Sequence, residues 1–135
     1  MSAFVKFQCF VGDLGKKLHD LNGDSLCIYL TNAAPVATNT VYNTPADLTT
    51  GGGYTAGGVS VTNTYSQTSG TGNLGGADVV FTATTGFGPF RYAVLFNNTS
   101  GTKPLIGFWD YGSSITLGAL ETFTFDMTTT LLTIT

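Results

Sequence analysis

Charge is what this chain has least of. Only 10% of its 135 residues are Asp, Glu, Lys or Arg, against about 25% in an average soluble domain. The five basic residues, Lys6, Lys16, Lys17, Arg91 and Lys103, form no stripe, and only Lys16 and Lys17 adjoin. Neutralising a phosphate backbone needs clustered Lys and Arg, so no nucleic-acid partner is expected. Long apolar runs are missing as well. Nothing approaches the roughly 18–20 residues of a membrane-spanning helix, and no membrane partner is expected. The opening MSAFVKFQCFVGDL lacks the basic start and small-residue cleavage site of a signal peptide, so folding in a cytosol is expected. Histidine is limited to His19 and cysteine to Cys9 and Cys27. Two thiols and one distant imidazole make no recognisable metal site, and neither a metal nor a cofactor is expected. The cysteines read either as buried reduced thiols or as one bridge from the first helix to the first strand.

Thr, Gly, Ser and Asn take the place of the missing charge. They belong to strands and tight turns rather than to exposed helices. The length fits one domain spanning residues 1–135, which buries about two-thirds of the surface its unfolded chain exposes. An uncharged surface serves a free monomer poorly and suits a protein held in an assembly.

One helix is expected, from Ser2 to about Leu21, within residues 1–22. Phe4, Phe7, Phe10 or Val11, Leu14, Leu18 and Leu21 recur every three or four residues and line one face. Ser2 is its N-cap candidate and Asn22–Gly23 its left-handed stop. Gly12 and Gly15 weaken its middle by up to about 1 kcal/mol each. Phe4, Phe7 and Phe10 are expected to lie against the sheet or a sister subunit.

Residues 24–135 read as strands and loops. Ser25–Thr31 alternates, with Leu26, Ile28 and Leu30 on one face and Cys27 and Tyr29 on the other. Asn32–Thr44 is a looped crossing with a short strand near Val41, and Pro45–Leu48 opens with a proline suited to a first helical turn. Gly51–Gly58 is a connector around Tyr54. Further strands are expected at Val59–Tyr65, Ala77–Thr84, Phe90–Phe96, Leu105–Tyr111, Ser114–Leu117, Thr122–Met127 and Leu131–Thr135, the last carrying the C-terminus into a pairing. SGTGNLGG reads as a turn. The expected fold is mainly β, an antiparallel β-sandwich or jelly roll of eight or nine short strands with one N-terminal amphipathic helix.

The candidates for chemistry are thin. GGGYTAGG fits neither glycine-rich phosphate motif, so it reads as a loop or bulge. His19 reads as a surface or capping residue near a helix end. Asp78, Asp110, Glu121 and Asp126 form no sequence-local acid pair. No catalytic residue is assigned and no enzymatic activity is expected. The richest stretch is Pro89–Ser114, which holds the only Trp and the only Arg. Pairing Asn97 with Pro104 sets Tyr92 opposite Trp109, Phe96 opposite Leu105, Ala93 opposite Phe108 and Arg91 opposite Asp110. Arg91 and Asp110 then form a cross-strand ion pair that either locks the hairpin or anchors a subunit contact. The candidate contact or locking residues are Arg91, Asp110, Tyr92, Trp109, Tyr111, Phe4 and Phe7. Aromatics of this stretch, Trp109 and Tyr111 first, also have the makings of a sugar-stacking platform.

Four segments, LTNAAPVATNTVY (residues 30–42), GYTAGG (53–58), GPFRYAVLFNNT (88–99) and KPLIGFWDYGSSITL (103–117), together resemble a group of small structural proteins of tailed bacteriophages and prophages, the capsid decoration or cement proteins. The resemblance implies a non-enzymatic virion protein on the capsid exterior, made in the bacterial host cytoplasm. Its implied partners are the major capsid protein and further copies of itself, as a trimer or dimer. It implies no catalytic residue. Two other readings stand beside it: a tail or neck component such as a tube or adaptor subunit, and a carbohydrate-binding module on the virion surface.

Overall fold

The computed structural model describes residues 4–42, 46–125 and 131–134. The cap expected at Ser2, the proline turn at Pro45, the strand end at Asp126–Met127 and the C-terminal Thr135 lie outside them. The chain is mainly β, with antiparallel sheets and one short helix. Its elements are β1 (Val5–Lys6), α1 (Cys9–Gly15), β2 (Leu26–Thr31), β3 (Val59–Val61), β4 (Asn63–Thr68), β5 (Thr71–Gly76), β6 (Val79–Thr82), β7 (Gly86–Asn97), β8 (Leu105–Gly118), β9 (Thr122–Phe125) and β10 (Leu132–Ile134). A five-stranded sheet runs β1-β8-β7-β2-β3, a three-stranded sheet β10-β5-β4, and β6 pairs β9.

The central strand β2 is buried along its whole length, and its alternation divides the core. Leu26, Ile28 and Leu30 join Ala93 and Leu95 of β7 in the larger cluster, together with Leu74 of the three-stranded sheet and Val79, Phe81 and Phe125 of the β6–β9 pair. Residues of all three sheets therefore share one core, which gives the fold its sandwich-like character. Cys27, Tyr29, Val94 and Phe96 face the other way. There they meet Phe7 and Leu105, with Tyr42, Cys9 and Phe108 packed alongside.

The helix is much shorter than the apolar spacing predicts. Phe4 and Phe7 share no helix face. Val5 and Lys6 pair with Phe108 and Gly107 as an edge strand, and the Phe7 N–H donates to the Ile106 carbonyl at 3.0 Å. That extended segment sends Phe4 onto Trp109 in the larger cluster and Phe7 into the smaller one, where it is fully buried. Gly107 makes the room for Phe4, because a Cβ there would stand 2.1 Å from the Phe4 ring. The helix then ends at Gly15 in a Schellman turn. Leu18 N–H donates to the Asp13 carbonyl and Lys17 N–H to that of Leu14, with Lys17 left-handed at φ 66°. Asn22–Gly23 is therefore no helix stop. It caps a tight loop in which Asp20 Oδ1 accepts the N–H groups of both residues at 3.1 Å.

Several strand expectations hold, and SGTGNLGG is corrected. Residues 71–76 of that stretch form β5, a central strand paired with β4 on one side and β10 on the other, with Leu74 fully buried. Ser114–Leu117 is part of β8 rather than a strand of its own. Near Val41 there is a single bridge to Pro104. GGGYTAGG is a tightly seated connector. Gly58 has φ +79°, and a Cβ there would lie 1.7 Å from the Ile28 carbonyl oxygen, so only glycine lets this turn press against β2.

The two cysteines are free thiols. Cys9 Sγ faces the carbonyls of Asn39, Thr40 and Leu105, and Cys27 Sγ lies 3.7 Å from Ser60 Oγ.

Candidate interaction surface

The long β7–β8 hairpin carries most of the candidate residues, and its irregularities decide where they point. Asn97 N–H does donate to the Pro104 carbonyl, and Phe96 does face Leu105. Beyond them Ile106 is an extra residue on β8, so every later pair moves by one. Ala93 faces Trp109, Val94 faces Phe108 and Tyr92 faces Asp110. The expected Tyr92–Trp109 and Ala93–Phe108 pairs are thus corrected by one β-bulge. A larger irregularity follows: Tyr92 pairs Asp110 while Phe90 pairs Ile115. β8 therefore carries surplus residues over 111–114, and they bulge outward.

Arg91 stands beside this bulge, and its ion pair with Asp110 forms despite the shifted register. Nε donates to Oδ1 at 2.8 Å and Nη2 to Oδ2 at 3.1 Å, a bidentate fork. Oδ1 also accepts the Gly112 N–H at 2.8 Å. The Arg91 hydrogen bonds hold the Asp110 carboxyl below its ordinary range, and those same bonds push the guanidinium up. The guanidinium lies 5.4 Å from the Tyr92 ring centre. Ser114 ties the bulge to the next loop by donating to Asn32 Oδ1 at 2.8 Å. Both members of the ion pair are well exposed, at 40% and 38%. The fork shapes the bulge and places one paired charge of each sign on its surface.

The other candidates divide. Tyr111 is 46% exposed and stands edge-on to Phe123. Trp109 is buried between Phe4 and Phe125, at 4.7 and 4.5 Å between ring centres. A stacking platform of Trp109 beside Tyr111 is therefore not what the hairpin presents. Phe4 is half-buried, and Phe7 is buried on the far side of the sheet. Arg91, Asp110, Tyr92 and Tyr111 are brought together; Phe4 and Trp109 form their support; Phe7 belongs elsewhere. Among the described residues no three His, Cys, Asp or Glu side chains gather as metal ligands.

Two polar knots were not legible in the sequence. In the first, the Asp47 carboxylate accepts the Tyr42 hydroxyl at 2.5 Å, the Tyr54 hydroxyl, and the Gly57 N–H at 2.5 Å. Tyr54 Oη in turn accepts the Leu30 N–H at 3.0 Å, which fastens the glycine-rich connector to β2. Burial, then the hydrogen bond to Asp47, pushes the Tyr54 phenol far above its ordinary value. In the second, Asn97 is fully buried. Its Nδ2 donates to Asp24 Oδ2 at 2.7 Å and faces His19 Nδ1 at 3.1 Å, while its Oδ1 accepts the Thr99 and Ser100 N–H groups. His19 is a buried ring packed on Phe10, not a surface residue. Because Asn97 presents its N–H₂ to it, Nδ1 of His19 is an acceptor and the ring is neutral. Nε2 has no partner. Burial lowers the His19 pKa, against the raising charges of Asp13 and Asp24.

No family model matches this chain, and neither does a curated protein or a solved structure.

Proposed function

We propose that this chain is a non-enzymatic structural protein of a tailed-phage virion that binds and stabilises the outer capsid shell as a decoration or cement protein, assembling as a dimer or trimer on the major capsid protein. The four segments that resemble that group occupy one contiguous region. They comprise the end of β2 and its following loop, the connector seated under β2, and the β7–β8 hairpin.

The observation that carries the reading is the character of the surface. Val11 on α1, Val36 and Val41 on the 32–42 loop, Val80 on β6, Tyr111 at the bulge and Leu120 at a turn are all exposed, on a chain with only 13 charged residues, 5 basic and 8 acidic. Leu120 is the sharpest case. It is 82% exposed and sits at φ +65°, a backbone region that costs a branched side chain about 1–2 kcal/mol. The Gly118–Glu121 turn, closed by the Glu121 N–H on the Gly118 carbonyl at 3.2 Å, holds that conformation but leaves the side chain in solvent. In the proposed assembly a partner surface covers it. Several modest apolar contacts shared among neighbouring capsid subunits gain strength through multivalency.

The test is re-addition. Particles lacking the protein are mixed with the purified chain, sedimented, and heated with and without it. Saturable co-sedimentation and a raised particle-disruption temperature support the reading. No binding to capsids, with binding to tails or to no particle component, refutes it.

A further inference from the structure

No Asp, Glu, Lys, Arg or Pro occurs anywhere from Leu48 to Ala77. Within this stretch β4 and β5 form a hairpin. Its two-residue turn, Ser69 at φ 50° and Gly70 at φ 80°, is of the left-handed kind that matches the twist of paired strands. Thr68 and Thr71 close the turn and exchange backbone hydrogen bonds, so the even-numbered residues of β4 aim their N–H and C=O groups at β5. Thr62, of the same parity, accepts the Ala77 N–H at 3.0 Å. Asn63, Tyr65 and Gln67 therefore aim their backbone groups away from β5. β4 ends its sheet, and among the described residues no strand pairs with it on that side.

Sheet edges are ordinarily guarded against pairing by brevity, charge, proline or a bulge. The other open edges of this chain have such guards. β1 has two residues and carries Lys6, β3 and β10 have three residues each, and β6 and β9 four each. Beyond its pairing with β2, β7 has Pro89 and Arg91, and the free part of β8 has Asp110 and the outward bulge at 111–114. β4 has six residues in unbroken register with β5, and neither a charge nor a proline. Thr64, Ser66, Gln67 and Thr68 on it are exposed.

We propose that β4 pairs antiparallel with β4 of a second copy about a two-fold axis at Tyr65, joining two three-stranded sheets edge to edge. In that register Tyr65 faces Tyr65 and Asn63 faces Gln67, so each outward N–H of one strand meets an outward C=O of the other. On the exposed side Thr64 of one copy faces Ser66 of the other. A two-fold axis sets like residues near one another, and a strand free of charge is the kind that tolerates it. Tyr65 packs on the core and lies across Gly72, where a Cβ would stand 1.8 Å from its hydroxyl oxygen, so its ring is held beside the axis. A flexible peptide gains its specificity from pockets for alternate side chains, and the outer side of β4 presents only the small hydroxyl residues Thr64, Ser66 and Thr68. A second copy brings a strand already extended and matched in length, so little ordering is lost on pairing. The two-fold contact uses up the β4 edge of both copies and leaves the short β10 at each end of the joined sheet. The inference concerns copies of this chain alone and stands whether or not they attach to a capsid.

The test is analytical ultracentrifugation of the full chain over a roughly thousandfold concentration range, with residue-resolved amide hydrogen exchange at both ends of it. A monomer–dimer equilibrium is expected, in which the N–H groups of Tyr65 and Gln67 gain protection with concentration while those of Thr64 and Ser66 are protected throughout. Gln67→Pro removes an outward donor without touching the bonds to β5 and is expected to weaken the dimer at least about 10-fold. Thr64→Lys with Ser66→Lys, both at exposed positions, sets lysine against lysine across the axis and is expected to weaken it similarly. Thr64→Lys with Ser66→Glu sets opposite charges there and is expected to restore it. Protection at Thr64 and Ser66 reports that each variant keeps its hairpin. The proposal is overturned if the parent is monomeric throughout, if it associates without added protection at Tyr65 and Gln67, or if the two-lysine variant associates as tightly as the parent.

Discussion

Replacing Asn97 by Ala is expected to cost more than any other single polar truncation in the described fold. The side chain is fully buried and joins two parts of the chain far apart in sequence, the 18–24 loop and the β7–β8 turn. Its neutral hydrogen bonds to Thr99 N–H, Ser100 N–H and His19 are worth about 1 kcal/mol each, and the one to the Asp24 carboxylate about 1.5–3 kcal/mol. Water recovers part of this at the half-exposed Asp24 and at the turn amides. The expected net loss is about 3–4 kcal/mol, a large share of a typical 5–15 kcal/mol stability. Urea unfolding followed by Trp109 fluorescence reads the loss as a lower midpoint at unchanged slope. Asn97→Asp sharpens the test. It keeps the acceptor for Thr99 and Ser100 but sets a second carboxylate where Nδ2 now stands, 2.7 Å from Asp24 Oδ2. It is expected to be as damaging as Ala at neutral pH and to recover as pH falls and the two carboxylates come to share a proton. A loss below about 1 kcal/mol for Ala, or an Asp variant as stable as the parent at pH 7, refutes the knot.

The remaining predictions concern the same framework. His19 is held neutral, with its folded pKa below the unfolded value of about 6.5, so the unfolded chain binds the extra proton. Its contribution to stability is therefore complete above about pH 6.5 and is lost as pH falls through the lower folded value; His19→Gln is expected to flatten that part of the stability–pH curve, and an unchanged curve contradicts the burial argument. Gly58→Ala forces a Cβ against the Ile28 carbonyl at a left-handed position and is expected to cost about 2–5 kcal/mol; a thermal midpoint equal to the parent's rules out the close approach. Leu120→Gly is expected to stabilise the isolated chain by up to about 1 kcal/mol while weakening attachment to particles. Leu120→Gly attaching as well as the parent removes Leu120 from the contact surface.

The sequence shows its strands where alternation meets β-branched and aromatic residues, as in residues 25–31 and 90–96. It conceals β5, because TGNLGG carries turn-like glycines and a single large apolar side chain. Leu74 is fully buried, and pairing on both sides makes the strand. The overlong helix has a similar origin. Phe4, Phe7 and Phe10 match a helical period, but an edge pairing with β8 competes for the first two and wins. One extra residue at Ile106 was enough to move the hairpin register, yet Arg91 still reached Asp110, since a long side chain tolerates a slip that direct pairing does not. Neither polar knot could be read from spacing, because Asp47 and Asn97 gather partners separated by up to 79 residues.

The central proposal is attachment to a capsid, and a cryo-EM map of the intact particle tests it most directly. The account predicts this domain on the outer shell over junctions between capsid subunits, as a dimer or trimer, with Leu120 and Tyr111 covered by a neighbour. Density for the chain in the tail or neck, or on the shell with those side chains facing solvent, contradicts it.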